Sequence, residues 1–219
     1  MNLPVLPLPL PQPDPGARLP GRASVAMSRR HCLAALGSLA LSAGPAAHAA
    51  HGDLGPVEPR RLPPDLELTL HDGSPTRLSR LLQGQVTALQ LMFTACSATC
   101  PIQGAIFAAL QQATASRLRS ARLLSISLDP LNDDPARLSG WLRSHGAGAA
   151  WRAAAPPARH ADVLLDFVQG RPKNSAVGDR HSAQVYLFDT QGRLAYRCAE
   201  FAAPGDIARF MQQLAALPA

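Results

Sequence analysis

Basic runs and internal repeats are missing from this sequence of 219 residues, and its cysteines are few. The arginines are scattered, and with aromatics at only 5% none is interleaved with a basic stretch. A nucleic-acid surface, which needs a clustered basic footprint, is therefore excluded as the leading reading. The apolar stretch from Leu33 to Ala43 has 11 residues, too few for a bilayer core that takes ~20 residues to cross. Four cysteines, Cys32, Cys96, Cys100 and Cys198, do not make a disulfide framework. What is there is a 47% hydrophobic composition, enough for one good-sized domain with a packed core.

The formal charge of +6 is unevenly placed. Up to Ala49 four arginines (Arg18, Arg22, Arg29, Arg30) face one acid, Asp14; the rest carries 17 basic and 14 acidic residues. Residues 1–26 hold seven prolines and read as an extended leader, disordered or not translated at all. Residues 27–49 have the order of an export signal: Met27-Ser28-Arg29-Arg30, the apolar stretch, then Ala47-His48-Ala49 as a small-x-small cleavage site. The paired arginines resemble a twin-arginine signal, and Met27 is the expected start. A cleaved signal is favoured over an anchor, so the protein is expected in the periplasm, soluble after cleavage. Cys32 leaves with the signal. The mature chain keeps Cys96, Cys100 and Cys198 in an oxidising compartment, where one close pair plus one distant cysteine reads as a working pair.

Residues 50–65 are rich in Pro and Gly and read as a linker or extended entry; the linker is expected over 50–61 and one domain over 62–219. Leu66–Leu70 alternates as a strand and His71–Ser74 turns it. Val86–Phe93 and Ala121–Leu128 read as buried strands. A helix follows the first of them from Pro101 to about Arg117. Asp134-Pro135 opens another to about Ser144. A short strand is expected over 149–153 around Trp151, and an amphipathic helix over 157–168. Gln184–Asp189 and Arg193–Cys198 form a hairpin about Thr190-Gln191-Gly192, and Pro204 opens the last helix. This order predicts an α/β, thioredoxin-like fold: a central mixed sheet flanked by helices, with an extra hairpin. It places Cys96 and Cys100 where a central strand ends and a helix begins, the usual position of a ligand or redox site in such sheets.

Two thiols four residues apart can close a disulfide, exchange electrons or hold a soft metal. Cys100 precedes Pro101 at the helix mouth, where free N–H groups and the helix dipole favour an anion, so its thiol pKa is expected to fall. Two thiolates select Cu(I) first, with Zn(II) and Cu(II) behind, and a third ligand is then wanted. His71 reads as a solvated turn residue, His145 as a helix-end residue and His160 as surface. His181, on the approach to the Gln184–Asp189 strand, reads by position alone as structural or exposed.

Three motifs alter that balance. Phe93-Thr94-Ala95-Cys96-Ser97-Ala98-Thr99-Cys100-Pro101, Ile126-Ser127-Leu128-Asp129-Pro130-Leu131-Asn132-Asp133-Asp134-Pro135, and His181 ahead of Tyr186-Leu187-Phe188-Asp189 with Gly192-Arg193 together resemble the Sco/SenC family, the thioredoxin-like proteins of cytochrome c oxidase copper-site assembly. The resemblance covers about residues 62–217. It implies a copper metallochaperone binding one copper, as Cu(I) or Cu(II), through Cys96, Cys100 and His181. The implied partner is a cytochrome c oxidase subunit II-like apoprotein, or another copper protein, at the membrane. A monomer is expected. The chain departs from many members in having Ser97 and Ala98 where Pro and Asp stand, which leaves less negative charge beside the metal. The alternative is a thiol–disulfide oxidoreductase in which Cys96 and Cys100 form a redox-active disulfide that reduces the apoprotein's cysteines; it does not need His181. A peroxidase-like thiol enzyme lacks its Pro-x-x-x-Thr-x-x-Cys pattern around Cys96, and a structural disulfide in a binding module is the plainest reading. Cys198 is expected to be structural. Trp141 and Trp151 are expected in packing, and Asp129 and Asp133 in shaping the loop near the site.

Overall fold

The structure is a computed structural model and describes residues 54–115, 118, 121–170 and 182–217. The expected leader, the export signal with Cys32, and His181 lie outside the described residues. Eight strands form one mixed sheet: β1 (Gly55–Arg61), β2 (Glu67–Leu70), β3 (Pro75–Arg77), β4 (Val86–Met92), β5 (Ala121–Ser127), β6 (Trp151–Ala155), β7 (Val185–Phe188) and β8 (Leu194–Arg197). Among the described residues five helices accompany them: α1 (Leu78–Leu82), α2 (Thr99–Ala115), α3 (Pro135–Ser144), α4 (Ala158–Gln169) and α5 (Pro204–Ala215). The strand order is β1-β8-β7-β4-β5-β6-β2-β3. The β4, β5 and β6 strands run parallel, while β7, β8 and β1 on one side and β2 and β3 on the other are added antiparallel. This is the expected thioredoxin-like arrangement.

All seven residues of β4 are buried, because both faces of the sheet are covered. Successive side chains alternate between faces. Ala88 and Met92 pack with Phe107 of α2, Trp141 of α3 and Met211 of α5; Leu89 and Leu91 pack with Leu82 of α1 and Leu164 of α4. The central strand therefore reads as a near-continuous apolar run rather than an alternating one. Its one amide, Gln90, is accommodated by a hydrogen bond from Nε2 to Ser125 Oγ at 2.8 Å, and the same oxygen accepts from Trp151 Nε1 at 2.9 Å. Trp151 is thus a buried packing residue with its polar atom satisfied, as buried indoles require.

Local chemistry sets the element ends. Asp134 caps α3, its carboxyl accepting from Arg137 N–H at 2.8 Å, with Pro135 in the first turn. The α4 helix ends at Gly170, whose φ of 68° is left-handed. A side chain there would also meet Arg197, since a Cβ would lie 2.8 Å from Nη2. The β7–β8 turn is organised by Asp189, whose Oδ1 accepts from the backbone N–H groups of Gln191 and Arg193 at 3.0 and 2.9 Å.

Residues 55–61, inside the stretch read as a linker or extended entry, form β1. Pro56 and Pro59 cannot donate to a ladder, and β1 occupies the sheet edge, paired on one side only to β8, where prolines are tolerated. His71, expected to be solvated, is half-buried with Nδ1 3.3 Å from the Ala153 carbonyl. None of the described helices is long and apolar enough to cross a membrane.

Candidate functional site

The β4 strand ends at Met92 and α2 starts at Thr99, so the turn between them carries Cys96 and the first helical turn carries Cys100. Both thiols are free. The buried stripe of α2 runs through Cys100, Gln103, Gly104, Phe107, Leu110 and Thr114, a spacing of three and four residues. Cys100 is therefore turned into the core, 3% exposed, and its sulfur accepts from Phe93 N–H at 3.4 Å. Cys96 precedes the helix and is half-buried, with its sulfur 3.7 Å from Thr99 Oγ1.

The two environments push the thiols apart. Burial opposes ionisation of Cys96, but the N–H groups of Cys100 and Ala98, the Cys100 thiol and the Thr99 hydroxyl override it, and the pKa falls to about 6. Burial dominates at Cys100 and the neighbouring Cys96 adds to it; the donation from Phe93 does not compensate, and the pKa rises to about 11. The sequence-based expectation assigned the activated thiol to Cys100. The structure assigns it to Cys96, because the helix starts two residues before Pro101. That start puts Cys100 inside the first turn and leaves the helix-end N–H groups to the residue in front of it. The seven-residue spacing from Cys100 to Phe107, two turns along one helix face, was the available sign. Cys198 is buried in the same core as Cys100, and burial raises its thiol to about 12, in keeping with a structural role.

In reduced, metal-free protein, iodoacetamide should modify Cys96 first. Its rate should fall as pH drops through about 6, where the thiolate takes up its proton, and be level above about 7. Cys100 and Cys198 should stay unmodified up to about pH 9. Peptide mapping after timed alkylation reads this directly, and Cys100 modified ahead of Cys96 would contradict it.

A carboxyl group holds the turn in place. Asp133, buried between β5 and α3, accepts from Thr94 N–H at 3.0 Å, from the Thr94 hydroxyl and from the Ser127 hydroxyl. Ser127 in turn accepts from Asp129 N–H at 2.9 Å, and Leu128 N–H donates to the Met92 carbonyl at 3.0 Å. Thr94 belongs to the first sequence motif, and Ser127, Asp129 and Asp133 to the second. Distant in sequence, the two motifs are bolted together two residues before Cys96. Asp129 binds Asn132 Nδ2 through both oxygens, so both acids shape the loop, as expected.

The third motif approaches from β7. Gln103 Nε2 on α2 donates to the Gln184 carbonyl at 3.2 Å, joining the entrance of β7 to the cysteine-bearing helix. His145, at the end of α3, packs against Trp141 with ring centroids 4.1 Å apart and the planes tilted by 43°, and it covers Gly104, where a Cβ would fall 2.1 Å from its Nε2. His160 is half-buried on α4. Among the described residues no group of three His, Cys, Asp or Glu side chains converges on a metal position; the structure brings together Cys96 and Cys100 of the expected set. Sequence reasoning missed Gln103 and the anchoring role of Thr94. Gln103 was detectable as an amide on the apolar stripe of α2.

No curated protein matches the chain. Among solved structures, a SCO1/SenC family lipoprotein from Bacillus anthracis is 23% identical with a TM-score of 0.60, covering 73% of this chain and 99% of its own. The copper-bound ScoI of Bradyrhizobium japonicum is 19% identical with a TM-score of 0.56, covering 70% and 99%. BsSco, a member of the Sco family of cytochrome c oxidase assembly proteins in which a disulfide switch is identified, is 18% identical with a TM-score of 0.63, covering 76% and 100%. At these identities the likeness is one of fold. The family described as SCO1/SenC matches residues 56–216. That stretch takes in the strand–helix junction with both thiols, the Asp133 clamp and the five described helices, and the chain belongs to the SCO1/SenC family.

Proposed function

We propose that this protein is a copper metallochaperone. It takes one copper ion as cargo, held by Cys96, Cys100 and His181, and passes it to the copper site of a cytochrome c oxidase subunit. The observation that carries the reading is the pair itself: two free thiols at a strand–helix junction, one poised as thiolate and one buried beside it. Membership of a family with copper-bound relatives supports the choice of metal. Two sulfur donors suit soft Cu(I), and a neutral imidazole extends the set toward Cu(II). Thiols must lose their protons to ligate, so the Cys100 proton leaves as the metal enters. A site with one half-buried ligand opens to an incoming donor, which suits transfer by ligand exchange. Export to the periplasm through the 27–49 signal would place the protein beside a membrane-bound acceptor.

A second reading is favoured by the asymmetry of the thiols. Cys96 as thiolate attacks one sulfur of a partner's disulfide and releases the other as a thiolate. Cys100 then gives up its proton and displaces the partner from the mixed disulfide. The partner is reduced by two electrons and Cys96–Cys100 is oxidised by two.

Anaerobic loading separates the readings. Wild-type protein should retain one copper per monomer, and His181→Ala should lose the Cu(II)–thiolate charge-transfer band. An unchanged band would remove His181 from the ligand set. A protein that holds no copper but cycles its thiols at a reducing potential would be the oxidoreductase.

A further inference from the structure

The strand directions bring three loops to the sheet edge that carries the thiols. β4 and β5 run parallel, so residues 93–98 and 128–134 leave at the same end. β7 runs antiparallel to β4 and β8 antiparallel to β7, so residues 198–203, which follow β8, return to that end. The strand order puts β5 on one side of β4 and β7 with β8 on the other. Hydrogen bonds tie the loops to each other. Asp133 holds Thr94, and Leu128 N–H holds the Met92 carbonyl. Phe201 N–H donates to the Ala183 carbonyl at 3.2 Å, and the next carbonyl, that of Gln184, accepts from Gln103 of α2. Cys96 thus stands between the 128–134 loop and the 198–203 loop, with the first turn of α2 behind it.

Each of these three segments exposes a large apolar side chain. Ile102, off the buried stripe of α2, is 52% exposed; Leu131 is 85% exposed and Phe201 42%. Phe201 is the most telling of them. Among the described residues it is the one non-glycine with a positive φ, 51°, a conformation in which a Cβ is strained and Gly or Asn sits more easily. A loop that needed only to turn would carry one of those residues. Strain of this kind gathers at functional sites, and apolar groups exposed together mark surfaces that meet another protein.

The charge around them has one sign. Residues 93–102, 128–134 and 198–206 contain Asp129, Asp133, Asp134, Glu200 and Asp206 and no Lys, Arg or His, although the chain as a whole carries +6. Asp133 is buried in the clamp, and Asp206 is paired with Arg209 at 2.8 Å. Asp129, Asp134 and Glu200 form no ion pair among the described residues. The nearest exposed cation in sequence is Arg137, in the first turn of α3. An apolar centre with acids at its margin fits a partner with the opposite margin.

We propose that Ile102, Leu131 and Phe201 form a docking collar around Cys96. It receives a protein partner whose copper site is framed by apolar surface and flanked by Lys and Arg. The inference rests on copper transfer as the function and adds where, and by what chemistry, the partner is held.

The test uses the full chain loaded with Cu(I) and two recipients. One is the copper-free, reduced soluble domain of a cytochrome c oxidase subunit; the other is a small Cu(I) chelator, which needs no docking. The triple variant Ile102→Gln, Leu131→Ser, Phe201→Asn should still load one copper and yield it to the chelator at the wild-type rate. It should pass copper to the domain about tenfold more slowly, the scale of one lost interface anchor. Added salt should slow transfer from the wild type to the domain. Glu200→Gln combined with Asp134→Asn, which keeps the α3 cap, should flatten that dependence. Equal transfer to the domain by wild type and triple variant would overturn the proposal. So would equal slowing toward the chelator, the mark of a disturbed metal site, or a transfer rate that rises with salt, the mark of an acidic partner. Should the triple variant not fold, Phe201→Asn alone, which suits the left-handed backbone, carries the same outcomes at about threefold. Wild-type protein that yields copper to the chelator and never to the domain would remove the transfer reading and the collar with it, a result reached before any collar residue is changed.

Discussion

Cys100→Ala should abolish stoichiometric copper binding while leaving the fold in place. Perturbing groups that merely support a ligand costs ~10–100-fold in metal affinity, so removal of a direct ligand should cost more than a hundredfold. The site would fall from one copper per monomer to none after gel filtration. Cys96→Ala should do the same. The two variants should differ in a second respect. Cys100 is a core residue packed with Met92 and Phe107, so its loss should also lower stability by about 1 kcal/mol through the small void left behind; half-buried Cys96 should cost less. Cys198→Ala is the control. That thiol is buried in the same core and kept protonated by burial, so its replacement should leave copper stoichiometry at one. Metal analysis of all three proteins, loaded anaerobically with Cu(I), decides the matter. Full copper retention in Cys100→Ala would sink the two-thiol site.

Asp133→Ala should be the most damaging single change near the site that touches no thiol. It strips the acceptor from the Thr94 N–H, the Thr94 hydroxyl and the Ser127 hydroxyl at once. A buried donor left without a partner costs about 1–3 kcal/mol. The hydroxyls can turn toward other acceptors, but the Thr94 N–H cannot. Removing a carboxyl group also relieves the cost of burying it. The net loss should be about 2–4 kcal/mol, seen as a lower urea midpoint with an unchanged slope. Because the clamp ends at Thr94, the turn carrying Cys96 should loosen as well, and thiolate stabilisation by the Ala98 and Cys100 N–H groups should weaken. Cys96 should then need a higher pH for rapid alkylation. A stability loss with no change in Cys96 reactivity would show that the clamp supports the fold but not the thiol.

Much of the architecture was legible because it is written in short-range chemistry. Val86–Met92 and Ala121–Ser127 announce buried strands through their apolar runs. The α3 start follows from Asp134 and Pro135, and the β7–β8 turn from Asp189 and Gly192. The elements that escaped are those whose local pattern is weak and whose existence depends on a neighbour. Pro56 and Pro59 make β1 look like linker; it is a strand because β8 offers it an edge. The five residues of α1 and the three of β3 are too short to show a period, and they are held by the sheet edge and by the core under Leu78 and Leu82. Their placement was settled by contacts distant in sequence.

The candidate site divides along the same line. By itself the sequence determined that two cysteines stand at the junction of a buried strand and a helix, that Cys198 is far from them along the chain, and that Thr94, Ser127 and Asp133 lie in motifs beside that junction. Residue type, spacing and helix-start chemistry are local properties, and they suffice for that much. Only the tertiary structure decided which thiol is activated. A pKa depends on how deep the sulfur sits and which N–H groups point at it, and both are set by the rotation of α2 against the sheet. That rotation is fixed by Phe107 and Leu110, which draw Cys100 into the core and leave Cys96 at the helix mouth.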